Sequence, residues 1–155
     1  MMIFLPYPDF EKSTRCLDSK LLCNQRVETL KIYKALTSNS LGWRNAPGVR
    51  MWRNYEKALL LYGIIACDAW IRRGYKDTLQ EQFLHCILII PSNTTDMQRW
   101  CGKDELHASH RSHLLKANQG YYERFNWKEP NTLPLWYPQK ENKYEIYGST
   151  NENLP

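Results

Sequence analysis

The chain contains no CxxC pair, and its five cysteines (Cys16, Cys23, Cys67, Cys86 and Cys101) are odd in number and widely spaced. That pattern signals neither a cysteine zinc site nor a disulfide framework, so buried reduced thiols are the expectation. No P-loop, GxGxxG or GxSxG occurs, which removes the strongest signatures of a phosphate cradle and of a serine hydrolase. Long apolar runs are missing too. The opening MMIFLPYPDF starts apolar but has no basic n-region, and Pro6 and Pro8 interrupt it well short of a signal core or a membrane span. A cytoplasmic protein with no membrane partner is expected.

What is present fits a single folding unit. The 155 residues are 43% hydrophobic and 24% charged, enough apolar content for one core and too few residues for two comfortable domains. Lys and Arg number 21 against 16 Asp and Glu, for a net charge of +5. Up to Tyr137 the counts are 19 and 13, or +6, so residues 138–155 form a polar tail expected to be loosely ordered. A modest basic surplus suits a polyanion, because each neutralised phosphate releases counterions, yet many enzymes without a nucleic-acid role carry as much.

Helical signals dominate. Pro8 and Asp9 can open a helix running, with or without a break, to Thr37. The stretch Ser38 to Pro47, with Asn39, Ser40, Gly42 and Asn45, reads as a loop. From Pro47 the residues Trp52, Tyr55, Leu59, Tyr62, Ala66 and Trp70 recur at three- and four-residue steps, predicting a second helix that stops at Gly74. Leu84 to Ile90 fits a short strand or a buried helical turn. A further helix is expected from Asp104 to Asn118, followed by an aromatic, proline-punctuated segment containing Tyr121, Tyr122, Phe125, Trp127, Trp136 and Tyr137.

Three groups of residues could carry chemistry. On a wheel of about 100° per residue, Phe10, Leu17, Leu21, Ile32 and Ala35 share one sector of the first helix, and Glu28 falls inside it. A carboxylate there requires a partner or a raised pKa, as a catalytic acid or charge stabiliser would; a structural ion pair with an arginine from another helix is the competing account. Trp43, Arg44, Asn45, Arg50 and Arg53 gather near the start of the second helix, where phosphate is favoured, or else form a solvated basic face. His107, His110 and His113 recur every three residues with Arg111, Ser112 and Lys116 among them. A phosphate-contacting basic helix or ordinary surface histidines fit this pattern better than zinc, for which no clear third ligand stands at a familiar spacing. A metal-dependent nuclease using His107 and His110 is the remaining variant.

The motifs FLPYPDF, LDSKLLCNQRVETL, GWRNAPGVRMWRNYEKALLLYG and HASHRSHLL together resemble the bacterial branch of the pyrimidine-dimer DNA glycosylases, related remotely to the phage endonuclease V type, over about residues 3 to 137. The resemblance implies an all-α, single compact domain of about three to five helices with long loops and an aromatic C-terminal segment. It also implies a monomer that flips a nucleotide out of damaged or modified double-stranded DNA and needs no cofactor or metal. In the phage type an N-terminal α-amine attacks the sugar C1′ while a glutamate on the first helix stabilises the cationic transition state; Glu28 matches that glutamate.

By the same comparison Arg26 and Gln25 lie beside the catalytic centre, and His107, His110, Arg111, Ser112 and Lys116 belong to a late helix that contacts phosphate. One departure concerns the nucleophile. Met2 is bulky, so an acting amine belongs to Met1. The segment before Glu28 is longer than in the phage type, which predicts that the Met1 amine falls short and favours water as the attacking group. Cyclobutane dimers and hypermodified bases such as glucosylated hydroxymethylcytosine in phage DNA, whose removal would serve antiviral defence, stand equal as substrates. A non-catalytic DNA- or RNA-binding module is the alternative.

Overall fold

The computed structural model describes residues 1–38, 42–91 and 99–139. It is all-α, with seven α-helices and no strand among the described residues. The count exceeds the expected three to five because both long helices expected near the N-terminus divide.

The first divides at Leu17. Helix α1 (Phe10–Cys16) is capped by Asp9, whose carboxylate accepts from the Lys12 N–H, and α2 (Ser19–Thr37) is capped by Asp18, which accepts from the Leu21 N–H. Leu17 is extended between them and fully buried. The carbonyls left free at the end of α1 need partners. Arg73, just past the end of α4, supplies them by donating to the carbonyls of Arg15 (3.2 Å) and Leu17 (2.7 Å).

The second divides between α3 (Pro47–Arg50) and α4 (Glu56–Arg72), where Asn54 takes a left-handed φ of 69°. Side chains at a left-handed residue must tolerate crowding against the following carbonyl, which asparagine does better than most. The turn drives Trp52 fully inside, edge-on to Trp100. Helix α4 is the central element and packs against α1, α2 and α5 (Gln80–Leu88). Its Gly63 lies so close to α2 that an added Cβ would sit 2.6 Å from the Thr29 methyl. The predicted stop at Gly74 is present, with φ 89°.

Residues 84–88 are helical rather than a strand. In α5 only Phe83 is buried, against Leu60 and Cys67, and Leu88 is largely exposed. Helix α6 (Asp104–Ala117) follows, then α7 (Gln119–Tyr122) and a 3₁₀ turn, Glu123–Phe125. Residues 126–139 run without regular structure back along α6. They are fastened there by Ser112 Oγ to the Pro130 carbonyl, by the Leu133 N–H to Ser112 Oγ (3.0 Å) and by the Trp136 N–H to Ser109 Oγ (3.1 Å). The main core extends from Ile3 to Tyr122 and takes in Trp136 and Tyr137 at its edge. No helix among the described residues is long and apolar enough to cross a membrane. Asn39, Ser40 and residues 140–155 of the expected tail lie outside the described residues.

Candidate active site

The first seven residues form no helix, yet they are held almost atom by atom. Backbone polar groups taken out of water must find partners, and here side chains from the surrounding helices provide them. The Met2 N–H donates to Glu28 Oε2 (3.3 Å) and the Met2 carbonyl accepts from Gln25 Nε2 (3.0 Å). The Phe4 N–H donates to Gln25 Oε1 (2.7 Å) and the Phe4 carbonyl accepts from the Tyr62 hydroxyl (3.4 Å).

Further along, the Leu5 N–H donates to His110 Nδ1 (2.8 Å), and the Leu5 carbonyl lies 2.7 Å from His107 Nδ1. Arg111 donates to the Pro6 carbonyl (2.8 Å), and Ser13 Oγ bonds both backbone groups of Tyr7. Ile3 and Leu5 are buried beneath this ladder. Its consequence is at the end of the chain, where the Met1 α-amine comes to rest 3.8 Å from Glu28 Oε2. The expectation that the longer segment leaves this amine out of reach is therefore corrected. Residues 2–6 are bonded by side chains of α2, α4 and α6, and this leads the chain end back to Glu28.

Glu28 is 8% exposed. Its Oε2 faces the Met1 amine and the Met2 N–H, and its Oε1 faces Lys31 Nζ at 3.2 Å. Among the described residues no arginine pairs with it, in contrast to the structural arginine pair considered from the sequence. An i, i+3 step on a helix puts Lys31 beside Glu28, a neighbour that the spacing alone could have revealed.

Arg26 belongs elsewhere. Its Nε donates to Asp77 Oδ1 at 2.8 Å, and its guanidinium lies over the Trp70 ring, 4.9 Å from the centroid. Burial works against the Asp77 charge, but the N–H groups of Gln80 and Leu79, the Cys67 thiol and Arg26 outweigh it and hold the carboxyl below its ordinary range. Arg26 is thus a buried tie between α2 and the α4–α5 connection, not a neighbour of Glu28. Gln25, expected to contact DNA, is fully buried and clasps the N-terminal segment instead.

The late-helix set is corrected in the same way. His107 and His110 are buried. His107 uses Nδ1 on Leu5 and accepts the Gly102 N–H at Nε2 (3.0 Å). Burial, reinforced by His107 and His113, holds the His110 pKa down to about 3, and burial lowers that of His107 as well. Rings committed to the backbone in this way are not free to bind phosphate or metal. Arg111 pairs with Glu129, and Ser112 is buried against the C-terminal segment. Of that group only Lys116 remains exposed. Among the described residues no three His, Cys, Asp or Glu side chains come together as a metal-ligand set.

The basic loop stays outside. Trp43 is 63% exposed, and Arg44 and Asn45 are exposed beside it. Arg53 ties the loop to the turn after α3 by donating to the Arg44 carbonyl (3.0 Å) and to Asn45 Oδ1 (3.3 Å), while Arg50 is half-buried. Gly48, in the helix α3 that follows this loop, abuts the Met1 backbone. A cleft of about 350 Å³ occurs elsewhere, between α1 and α4. Its Glu11 is already paired with Arg15 and Arg72, and neither Met1 nor Glu28 lines it.

An amine against a shielded carboxylate, with exposed cationic and aromatic groups alongside, suits cleavage of a sugar–base bond. The chain matches the family of pyrimidine dimer DNA glycosylases over residues 1–82, a span that holds α1 to α4, Met1, Glu28 and the Trp43 loop. It belongs to that family, and is accordingly a DNA glycosylase whose substrate is DNA. Comparison with curated proteins and with solved structures returns no match.

Proposed function

We propose that the protein excises a pyrimidine dimer from double-stranded DNA with the Met1 α-amine as nucleophile and Glu28 as the carboxylate that stabilises the transition state. The observation that carries this reading is the 3.8 Å separation of the amine from Glu28 Oε2. The unprotonated amine attacks C1′ as the bond from C1′ to the base breaks, and the electron pair of that bond leaves on the pyrimidine, which takes a proton from solvent. The sugar then opens. Its ring oxygen departs from C1′ as a hydroxyl, the nitrogen loses a proton, and a C1′=N Schiff base links the chain end to DNA. Positive charge develops on the sugar during attack, and a fixed carboxylate in a site shielded from water favours it more than bulk solvent would. An α-amine suits this task because it is less basic than a lysine side chain by about two to three units. Such an intermediate also opens the way to strand cleavage at the abasic site. Trp43, Arg44, Asn45, Arg50, Arg53 and Lys116 are the groups proposed to meet DNA.

Borohydride reduces a Schiff base to a stable amine and so tests the nucleophile. With irradiated duplex DNA, the untagged protein is expected to yield a covalent adduct that peptide mass analysis maps to the Met1 nitrogen. Attachment at Lys31, the other amine beside Glu28, would displace Met1 from this role. Excision without an adduct would return the reaction to water. DNA containing glucosylated hydroxymethylcytosine, run in parallel, tests the substrate: release of that base, with no glycosidic bond cleaved at dimers, would move the activity toward modified-base removal and antiviral defence.

A further inference from the structure

Catalysis by a chain terminus raises a physical difficulty, because a terminus is anchored on one side only and tends to fray. Two features deal with it without touching the amine. The Gln25 carboxamide is fully buried and has a defined orientation. Its nitrogen donates to the Met2 carbonyl and its oxygen accepts from the Phe4 N–H, while the Tyr62 hydroxyl donates to the same oxygen at 3.0 Å. A flipped amide would set donor against donor at Phe4 and acceptor against acceptor at Met2. On the other side α3 approaches the Met1 peptide so closely that a Cβ at Gly48 would collide with the Met1 carbonyl oxygen. That atom belongs to backbone and cannot swing aside as a flexible side chain could, so any residue larger than glycine must push the Met1 peptide away.

We infer that Gln25 and Gly48 are positioning residues, which fix the first two peptides from opposite sides and thereby set where the amine stands relative to Glu28. This rests on the amine reading above. Displacement of a reacting group by about 1 Å can cost about 100-fold in rate, so the clasp matters to chemistry more than to DNA affinity.

The test uses two variants of the full chain, Gly48→Ala and Gln25→Glu, with irradiated DNA. Both are expected to lower kcat at least tenfold with KM little changed, and to reduce the borohydride adduct in proportion. Gln25→Glu carries a further signature. Its ionised carboxylate has no hydrogen to offer the Met2 carbonyl, whereas the protonated acid does, so its deficit relative to wild type should narrow as pH falls. Protonation also relieves the cost of a buried carboxylate to the fold, so rates are compared per folded molecule, with the folded fraction followed by circular dichroism at each pH. Wild-type rates in both variants, or a deficit in Gln25→Glu that does not change with pH, would overturn the inference while wild-type trapping still upheld the amine. Excision by wild type with no adduct would instead defeat the amine reading itself. If Gly48→Ala does not fold, the pH profile of Gln25→Glu decides.

Discussion

Arg26 and Glu28 stand two residues apart on α2, and both are nearly buried, yet the two sides of the helix treat their charges differently. On one side Arg26 meets Asp77, a carboxylate that accepts further hydrogen bonds from the N–H groups of Leu79 and Gln80, beneath the Trp70 ring. Both charged side chains there are shielded, and both oxygens of the Asp77 carboxylate are occupied. On the other side Glu28 meets a chain terminus and a lysine whose side chain is 55% exposed. Of its partners, Lys31 is exposed enough to move away, and the clasped Met1 amine becomes a neutral nucleophile when deprotonated. The first side is built to stay shut. The second holds a carboxylate whose positive neighbours can give way to positive charge forming on a sugar.

The contrast predicts opposite outcomes for two substitutions. Arg26→Met leaves Asp77 buried without its cation, and breaking such a pair typically costs about 3–5 kcal/mol. Urea unfolding should report that loss, while the excision rate of the protein still folded at low temperature stays within about threefold of wild type. A rate loss of the order of 100-fold without a stability loss would place Arg26 in the catalytic centre after all. Glu28→Gln should do the reverse. Losing a preorganised charge at the transition state costs about 10²- to 10³-fold in rate, whereas stability should fall by less than in Arg26→Met, because the isosteric amide keeps an oxygen for the Met2 N–H and Lys31 is 55% exposed. Single-turnover excision and DNA binding measured side by side would check this. Unchanged excision would remove Glu28 from the catalytic centre.

Much of the helical content was legible because three- and four-residue periodicity survives in a single chain. The breaks were less so. Apolar spacing continues through Leu17, and the wheel that placed Glu28 inside the apolar sector was drawn across a junction where the chain is extended. Asp9 marked the first helix start, but the second cap, Asp18, stands inside what the periodicity read as one helix. Asn54 carried a turn that periodicity could not show. Glu28 was legible as a carboxylate needing a partner, but the partner was not, because the Met1 amine reaches it across 27 positions of sequence. The same holds for the histidines. A repeat of three suggests a surface or a metal when spacing is the only information, whereas His107 and His110 answer to Leu5, more than a hundred residues away.

Those two histidines link the comparison to pH, because they hold the middle of the segment whose end reaches Glu28. His110 Nδ1 accepts the Leu5 N–H, so the ring must be unprotonated there, and its pKa of about 3 lies below the ordinary histidine value near 6.5. A depressed histidine pKa contributes stability that is fully present above about 6.5 and is lost as pH falls toward 3, since the unfolded chain takes up the proton first. Between pH 7 and pH 5 that amounts to about 2 kcal/mol. His107, also lowered by burial, adds to the slope. His110→Asn retains an acceptor for the Leu5 N–H and cannot titrate, so it should flatten the dependence of unfolding free energy on pH across this range without abolishing it. Equal slopes for variant and wild type, measured by urea unfolding at pH 7 and pH 5, would mean that the acid sensitivity does not arise at His110. A flattened slope would place part of the acid sensitivity at His110, the residue that holds Leu5.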